Sequence, residues 1–349
     1  MGVSVKDVAK RAEVSVGTVS NVLNRPERVA PATRQRVLDA VSELGFVRNE
    51  AARALRAGRS RTIGLVVLDI ANPFFTDVTR GAEAVSDEHG VIVTLCNSAE
   101  DPERERRHLD HLEEQRVQGV LLTPVLADSP RVEQLRRRGI PVVLVDRASG
   151  AGNQCSVAVD DVLGGRVAAE HLVEGGHRHI AFVGGPLSLP QVTDRLAGLR
   201  DVADKAGVRV TEVPTTALDV ASGREAGALL ARDVADRSPT GPTGVFCAND
   251  LLALGVLQSM TSAGLTVPAD VALVGYDDIE FAAAAAVPLS SVRQPRELLG
   301  RTAAELLFDE VANPDAHRHR YVVFQPELVV RASSRASLLS GTATGAGVA

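Results

Sequence analysis

Apolar residues in the first 46 positions recur every three or four places, whereas beyond residue 61 they gather in short unbroken runs. The chain therefore changes architecture once. In the opening stretch Val5, Val8, Ala9 and Ala12 share one helical face. Ser4, followed three residues later by Asp7, supplies a capping box for that helix, which runs through Ala12. Ser15 caps a second helix, Val16–Leu23, with Val19, Val22 and Leu23 as its buried set. Only Glu13, Val14 and Ser15 separate the two, which holds them at a steep angle. A third helix starts near Pro31, buries Val37, Leu38, Val41 and Leu44, and stops at Gly45. The second helix leaves Val16, Gly17, Thr18, Ser20 and Asn21 exposed. These are small, uncharged groups able to approach base edges or phosphates closely.

From Thr62 the pattern alternates buried-strand runs with helix-length segments. TIGLVVL, VIVTLC, GVLLTP and PVVLVD are separated by helical stretches near 74–89, 102–117 and 129–138. SVAVDD, HIAFVGG, GVFCAN and DVALVGYD repeat the rhythm. Alternation of this kind predicts doubly wound parallel sheets, and the segment is too long for one sheet, so two lobes with a cleft are expected. Ligands in such folds bind beyond the carboxyl ends of the strands. Reading those ends gives Asn72, Phe74 and Phe75, then Asp146 and Arg147, Asp160 and Asp161, Asn249 and Asp250, and Asp277. Bidentate polar groups beside aromatic faces suit a polyhydroxyl ligand. Each Asp or Asn has a plainer reading as a helix cap, evenly weighted for Asn249 and Asp161, and Asp146/Arg147 as an ion pair.

Composition changes this picture only in places. Hydrophobic residues make up 45% and charged residues 23%, as in ordinary globular chains, but aromatics only 3%. The core must therefore rest on Ala, Val and Leu. Residues 1–61 carry 12 Lys/Arg against 6 Asp/Glu, while the remainder holds 26 against 38, so a basic head rides on an acidic body. Only the head is suited to a polyanion. Cys96, Cys155 and Cys247 are isolated and lack zinc-like spacing, which predicts buried thiols without a structural metal. The histidine pairs His177/His179 and His317/His319 lie in charged stretches and read as solvated. No GxGxxG follows a strand, and no GxxxxGK[ST], GxSxG or HExxH occurs, which disfavours an enzyme; no cofactor is expected. The N-terminus has no apolar core of a signal peptide and no run reaches the ~20 apolar residues of a membrane span. A cytoplasmic protein with no membrane partner is expected, and the basic head argues against a transport-type binding protein.

VKDVAKRAEVSVGTVSNVLN, followed by VAPATRQRVLDAVSELGFVRNEAARALR, closely resembles the head of the LacI/GalR family of bacterial repressors, nearly continuously over residues 3–56. The body resembles the same family's sensor, which shares its fold with periplasmic sugar-binding proteins, in IGLVVLDIANPFF, HLVEGGHRHIAFVGGP, FCANDLLALGVL and VALVGYDDIE. The resemblance implies a small all-α helix-turn-helix head at 1–46, a hinge helix at 47–59, and a two-lobed α/β body at 60–335. Lobe 1 would take about 60–160 and 292–321, and lobe 2 about 161–290 and 322–335, with crossings near 158–162, 289–293 and 321–326. The last helix, about 295–309, would belong with lobe 1. It implies base reading by Val16, Gly17 and Asn21 and phosphate contacts from Ser15, Thr18 and Ser20, with Ser4, Asn24 and Asn49 beside them. Leu55, flanked by Arg53 and Arg56, would wedge into a minor-groove step.

The implied effector set is Asn72, Phe74, Phe75, Asp146, Arg147, Asp160, Arg195, Asn249 and Asp277, with Leu218 where many relatives carry an aromatic. The partners so implied are double-stranded operator DNA, a small sugar-like effector and a second copy of the chain. Glu13 departs from the Gly often found in the turn, and fits it less well if the backbone is left-handed. The Gly-rich tail, 336–349, reads as disordered without Leu heptads, implying dimers rather than tetramers. Leu55→Ser is expected to weaken operator binding while leaving effector affinity intact. Titration of the variant with each ligand checks this, and unchanged operator affinity would remove the wedge role.

Overall fold

Two compact units make up the chain, residues 1–60 and 61–349. The computed structural model describes residues 3–46, 60–126, 129–147, 153–235 and 241–335. The expected hinge at 47–59, with Asn49, Arg53, Leu55 and Arg56, and the tail 336–349 lie outside the described residues.

In the first unit α1 (Val5–Arg11), α2 (Val16–Asn24) and α3 (Pro31–Leu44) follow a short 3₁₀ turn apart between the last two, Pro26–Arg28. Ser4 and Asp7 form the reciprocal capping box, Ser4 N–H donating to Asp7 Oδ2 at 2.9 Å. That bonding holds the Asp7 carboxyl below its usual range. Glu13 does adopt a left-handed conformation, φ +54°, the strained geometry its side chain tolerates less well than glycine. Gly45 ends α3 at φ +61°. Val8, Ala9, Ala12, Val19, Val22, Val37 and Ala40 form the core of the head. Leu38 is not part of it and stands 42% exposed. The buried face of α3 follows positions 37, 40, 41 and 44, and Leu38 lies about 100° round the helix from Val37. Leu23 is only half-buried.

The second unit carries two six-stranded sheets. The first runs β11-β5-β4-β3-β1-β2, from β1 (Thr62–Val67), β2 (Ile92–Asn97), β3 (Val120–Leu122), β4 (Val142–Val145), β5 (Ser156–Val159) and β11 (Tyr321–Phe324), all parallel. The second runs β12-β10-β9-β8-β6-β7, from β6 (His179–Val183), β7 (Arg209–Val213), β8 (Gly244–Cys247), β9 (Ala272–Asp277), β10 (Ser290–Arg293) and β12 (Glu327–Val329). Only β12 among these is antiparallel to its neighbour. Helices α4 (Pro73–Glu88), α5 (Pro102–Glu114), α6 (Pro130–Arg137) and α12 (Arg296–Ala312) accompany the first sheet. Helices α7 (Asp161–Glu174), α8 (Pro190–Ala206), α9 (Val220–Ala235), α10 (Asp250–Ser262) and the short α11 (Glu280–Ala284) accompany the second.

The chain passes between the sheets at Asp160, at 294–295 and at 325–326. The second passage falls after the expected 289–293 because β10 pairs residue by residue with β9 through Arg293. The third falls at the end of 321–326 because β11 completes the first sheet beside β5. The lobe limits at 292 and 321/322 shift accordingly. Strands β7, β10, β11 and β12 have no counterpart in the run-based reading: β7 mixes apolar and polar residues, β10 and β12 hold one and two apolar residues, and the run YVVF of the half-exposed β11 is one it misses. The histidines also differ from the solvated reading. His317 has a side chain only 1% exposed, and His177 and His179 are half-buried and bonded to Thr243 and Thr211. The three cysteines are free and buried. Among the described residues no helix is long and apolar enough to cross a membrane.

With few aromatics to fill space, the helices approach through glycine. A Cβ on Gly81 of α4 would collide with the Glu297 carbonyl of α12, and one on Gly300 with that of Val78. Gly165 of α7 and Gly198 of α8 meet the Arg195 and Val162 carbonyls in the same reciprocal way. Backbone contact of this kind cannot yield to a rotamer change. Gly81→Ala is therefore expected to destabilise the chain by about 1–3 kcal/mol, as overpacked cores do. A lowered denaturant midpoint at constant slope checks it.

Candidate functional site

On the head, Ser15 caps α2 by accepting from Thr18 N–H at 3.0 Å, and its hydroxyl meets that of Thr18 at 2.9 Å. Asn24 Nδ2 donates to the Ser20 carbonyl at 2.8 Å and to its hydroxyl at 3.2 Å. Val16, Gly17, Asn21 and Asn24 are exposed, while Thr18 and Ser20 are half-buried. The first turn of α2 holds no acidic residue, so its amide end offers positive potential to an anion. Ser4 is occupied as the cap of α1.

In the second unit the strand ends of the two sheets face one cavity of about 460 Å³, its mouth included. Eight of the residues expected at an effector site line it: Asn72, Phe74, Phe75, Asp146, Arg195, Leu218, Asn249 and Asp277. Asn72 caps α4 through Phe74 N–H and donates Nδ2 to Asp277 Oδ2 across the lobes at 3.2 Å. Gln294 Nε2 holds the other Asp277 oxygen at 2.7 Å. Gln191 reaches across in the opposite sense, donating to the Asp146 carbonyl at 2.9 Å and to its Oδ2 at 3.0 Å. Phe74 and Phe75 pack edge to face with centroids 4.9 Å apart. Asn249 caps α10 through Leu252 N–H and donates to the Leu218 carbonyl, so capping and cavity lining coexist.

Arg195 is the positive centre. Its Nε donates to Asp161 at 2.8 Å, its Nη1 to the Ala248 carbonyl at 2.7 Å, and its guanidinium lies 3.7 Å from the Tyr276 ring centroid. Burial opposes its charge, but Asp161, Tyr276, Asp277 and Asp146 outweigh burial and raise its pKa. Burial, then Asp161, pushes Asp146 up to about 8 despite Arg195 and Gln191. Burial also raises Asp277, against Arg195, Asn72 and Gln294. Glu100, held up to about 7 by burial and by Asp69 and Asp219, lines the same cavity. Asp146 and Asp277 have left-handed φ values of +56° and +101°, rare for side chains other than glycine.

Two expected residues fall elsewhere. Asp160 caps α7 through Leu163 N–H, its carboxylate turned to the helix rather than the cavity. Arg147 opens onto a neighbouring depression with Asp194 and Asp161. Asp161, weighed as a cap, instead pairs with Arg195 because Asp160 takes the capping position. Asp250 is fully buried, accepting from Ser291 Oγ at 2.7 Å and Ile279 N–H at 2.9 Å. Leu68, Asp69, Glu100, Leu189 and Gln191 line the cavity without having been foreseen. Asp69 and Glu100 follow the ends of β1 and β2 by two and three residues, within reach of the strand-end rule.

A helix-turn-helix unit joined to a two-lobed body whose cleft gathers buried charge defines a ligand-controlled DNA-binding regulator. Residues 4–49 match the family described as bacterial regulatory proteins, lacI family, and residues 169–334 match a periplasmic binding protein-like domain. The ribose operon repressor of Escherichia coli (strain K12) is 34% identical over 334 residues, covering 95% of this chain and 99% of that protein. The transcriptional regulator CelR in complex with cellobiose superposes with a TM-score of 0.68 at 34% identity, over 95% of this chain and 99% of its own. The lac repressor dimer bound to operator and the anti-inducer ONPF superposes with a TM-score of 0.81 at 27% identity, over 96% and 99%. The chain belongs to the lacI family of bacterial regulatory proteins. It is a transcriptional regulator, not an enzyme.

The Asp146 value sets a pH dependence. Between the ordinary carboxyl value near 3.8 and about 8 the unfolded chain has released this proton while the folded chain retains it. Folding thus takes up a proton, and stability falls as pH rises through that window, by at most about 1.4 kcal/mol per pH unit for one group. Asp146→Asn is expected to flatten the slope of ligand-free stability between pH 5 and about 8. Denaturant titrations across that range check it, and an unchanged slope would place the proton elsewhere.

Proposed function

We propose that this protein is a dimeric repressor whose head reads a pseudo-palindromic operator and whose cleft binds a small sugar that controls the reading. The domain scheme is a head to residue 46, a hinge to 59 and an effector body to 335. On the head the reading assigns base contacts to Val16, Gly17 and Asn21 and phosphate contacts to Ser15, Thr18 and Ser20, with Asn24 and Asn49 alongside. Exposed small groups on α2, free of acidic side chains, support this. The hinge reading keeps Leu55 as the wedge between Arg53 and Arg56. Two heads are needed because symmetric dimers match symmetric half-sites.

The observation that carries the effector reading is the polar lining of the cleft. Asp146 Oδ1 and Gln191 Oε1 are buried there without a hydrogen-bond partner among the described residues. Unpaired polar atoms of this kind are costly unless a ligand bonds to them. Sugar hydroxyls both donate and accept, and Phe74 and Phe75 supply an apolar face for the ring. Leu218 leaves no third aromatic opposite, which favours a pentose-sized sugar over a stacked purine. The ribose operon named for the Escherichia coli relative is consistent with a pentose, and the cellobiose held by the structural neighbour with a sugar ligand more broadly.

Thermal unfolding of the full chain against pentoses, hexoses, their phosphates, nucleosides and purine bases tests the reading. A true effector at about 100 times its Kd is expected to stabilise the chain by ~2.7 kcal/mol. Asp277→Asn, which breaks the clasp to Asn72, should reduce that shift. Stabilisation confined to purines or nucleosides, or no shift with any sugar, would overturn the sugar assignment.

A further inference from the structure

Away from the cleft, four side chains from three parts of the first lobe converge on one point. Cys155 stands immediately before β5, Glu310 lies in the last turns of α12, and His317 and His319 lie in the loop that joins α12 to β11. Cys155 Sγ is 3.2 Å from His317 Nε2 and 3.9 Å from His319 Nδ1. Glu310 Oε2 is 3.8 Å from His317 Nε2 and 3.9 Å from His319 Nδ1. One donor atom from each of the four lies within 4.8 Å of every other. We propose that Cys155, Glu310, His317 and His319 form a tetrahedral binding site for a Zn²⁺-class divalent metal ion, which fastens the α12–β11 loop to the edge of the first sheet.

The spacing fits. Metal–sulfur bonds of about 2.3 Å and metal–nitrogen or –oxygen bonds of about 2.0–2.2 Å give tetrahedral edges of roughly 3.3–3.6 Å. The four separations of 3.2–3.9 Å given above lie within a few tenths of an ångström of those edges. The donor types point the same way, since thiolate and imidazole select Zn²⁺ over Mg²⁺ or Ca²⁺. Thiolate and carboxylate together neutralise the dication, and four protein donors leave no open position, as in sites that stabilise rather than catalyse.

The surroundings are those of ligands held in place. His317 turns Nδ1 to Asp309 Oδ2 at 2.7 Å, the carboxylate–imidazole arrangement that orients metal-binding histidines. The Arg320 backbone N–H donates to Cys155 Sγ at 3.3 Å. Cys155 is fully buried and His317 nearly so, while Glu310 and His319 are partly exposed and leave a path of entry. A thiol donating to His317, itself bonded to Asp309, would account for three of these residues without an ion. It would leave Glu310 Oε2 buried with no hydrogen-bond partner among the described residues, and His319 Nδ1 aimed at the same point to no purpose. Of the whole set only the His-x-His pair is close in sequence, so the spacing offers no third ligand and the fold alone assembles the site.

The test uses the purified full chain, stripped with a chelator and titrated with Zn²⁺ or Co²⁺. One equivalent per chain is expected, with a rise in Tm on Zn²⁺ binding. The Co²⁺ form should show tetrahedral ligand-field bands and a thiolate-to-cobalt charge-transfer band that Cys155→Ser abolishes. Asp309→Asn keeps all four ligands and is expected to weaken affinity about 10–100-fold. A stripped chain that binds no stoichiometric ion, an octahedral cobalt spectrum, or unchanged binding in Cys155→Ser would each overturn the proposal.

Discussion

The buried charge of Arg195 is the constraint around which the second lobe and the cleft are built. An uncompensated cation at that depth costs several kcal/mol, and the structure answers from three directions at once. Asp161 opens α7, the Ala248 carbonyl ends β8, and the Tyr276 ring comes from β9. Each must approach closely. Gly165 and Gly198 let α7 and α8 touch through their backbones, and Gly164 leaves room for the Tyr276 ring. An ordinary side chain at any of these glycines would displace the partners of the guanidinium as well as the helices.

The same cation organises the carboxylates that face it. Asp146 and Asp277 belong to different lobes, each bonded across the cleft by an amide side chain, Gln191 in one case and Asn72 in the other. Both hold a left-handed backbone at the carboxyl end of a strand, where the chain must turn sharply to aim the side chain into the cavity. Burial works against their ionisation while Arg195 favours it. The cleft is thus a place where proton, ligand and lobe closure act on the same few atoms.

Much of this was legible in the residues themselves. The helices of the head announce themselves through Ser4, Ser15, Pro31 and Gly45, whose capping chemistry is local. The central strands do so through unbroken β-branched runs that only a doubly covered sheet produces. Leu38 shows the limit of periodicity, since it lies about 100° round the helix from Val37 and falls outside the face formed by positions 37, 40, 41 and 44. The edge strands β7 and β12 carry no such run, because much of each faces solvent, whereas β11 carries one, YVVF, although it too is half-exposed. In the cleft, strand ends and family resemblance together reached eight lining residues. Gln191 lay beyond reach because its role depends on Asp146, which the other lobe contributes from distant sequence. The Cys155 cluster was invisible because Cys155 stands some 160 positions from the other three.

The passage at 325–326 ties the lobes in a way that bears on how the chain is made. β11, which closes the first sheet, and β12, which closes the second, are consecutive and only two residues apart. Neither lobe is a continuous stretch of polypeptide, so neither can be excised by a single cut or grafted as one fragment. On the ribosome both lobes remain unfinished, with β5 and β10 at their open edges, until residues 321–329 have emerged. Completion of the two is then almost simultaneous, and a chain truncated shortly before Tyr321 would leave both sheets with an unpaired edge rather than one lobe intact.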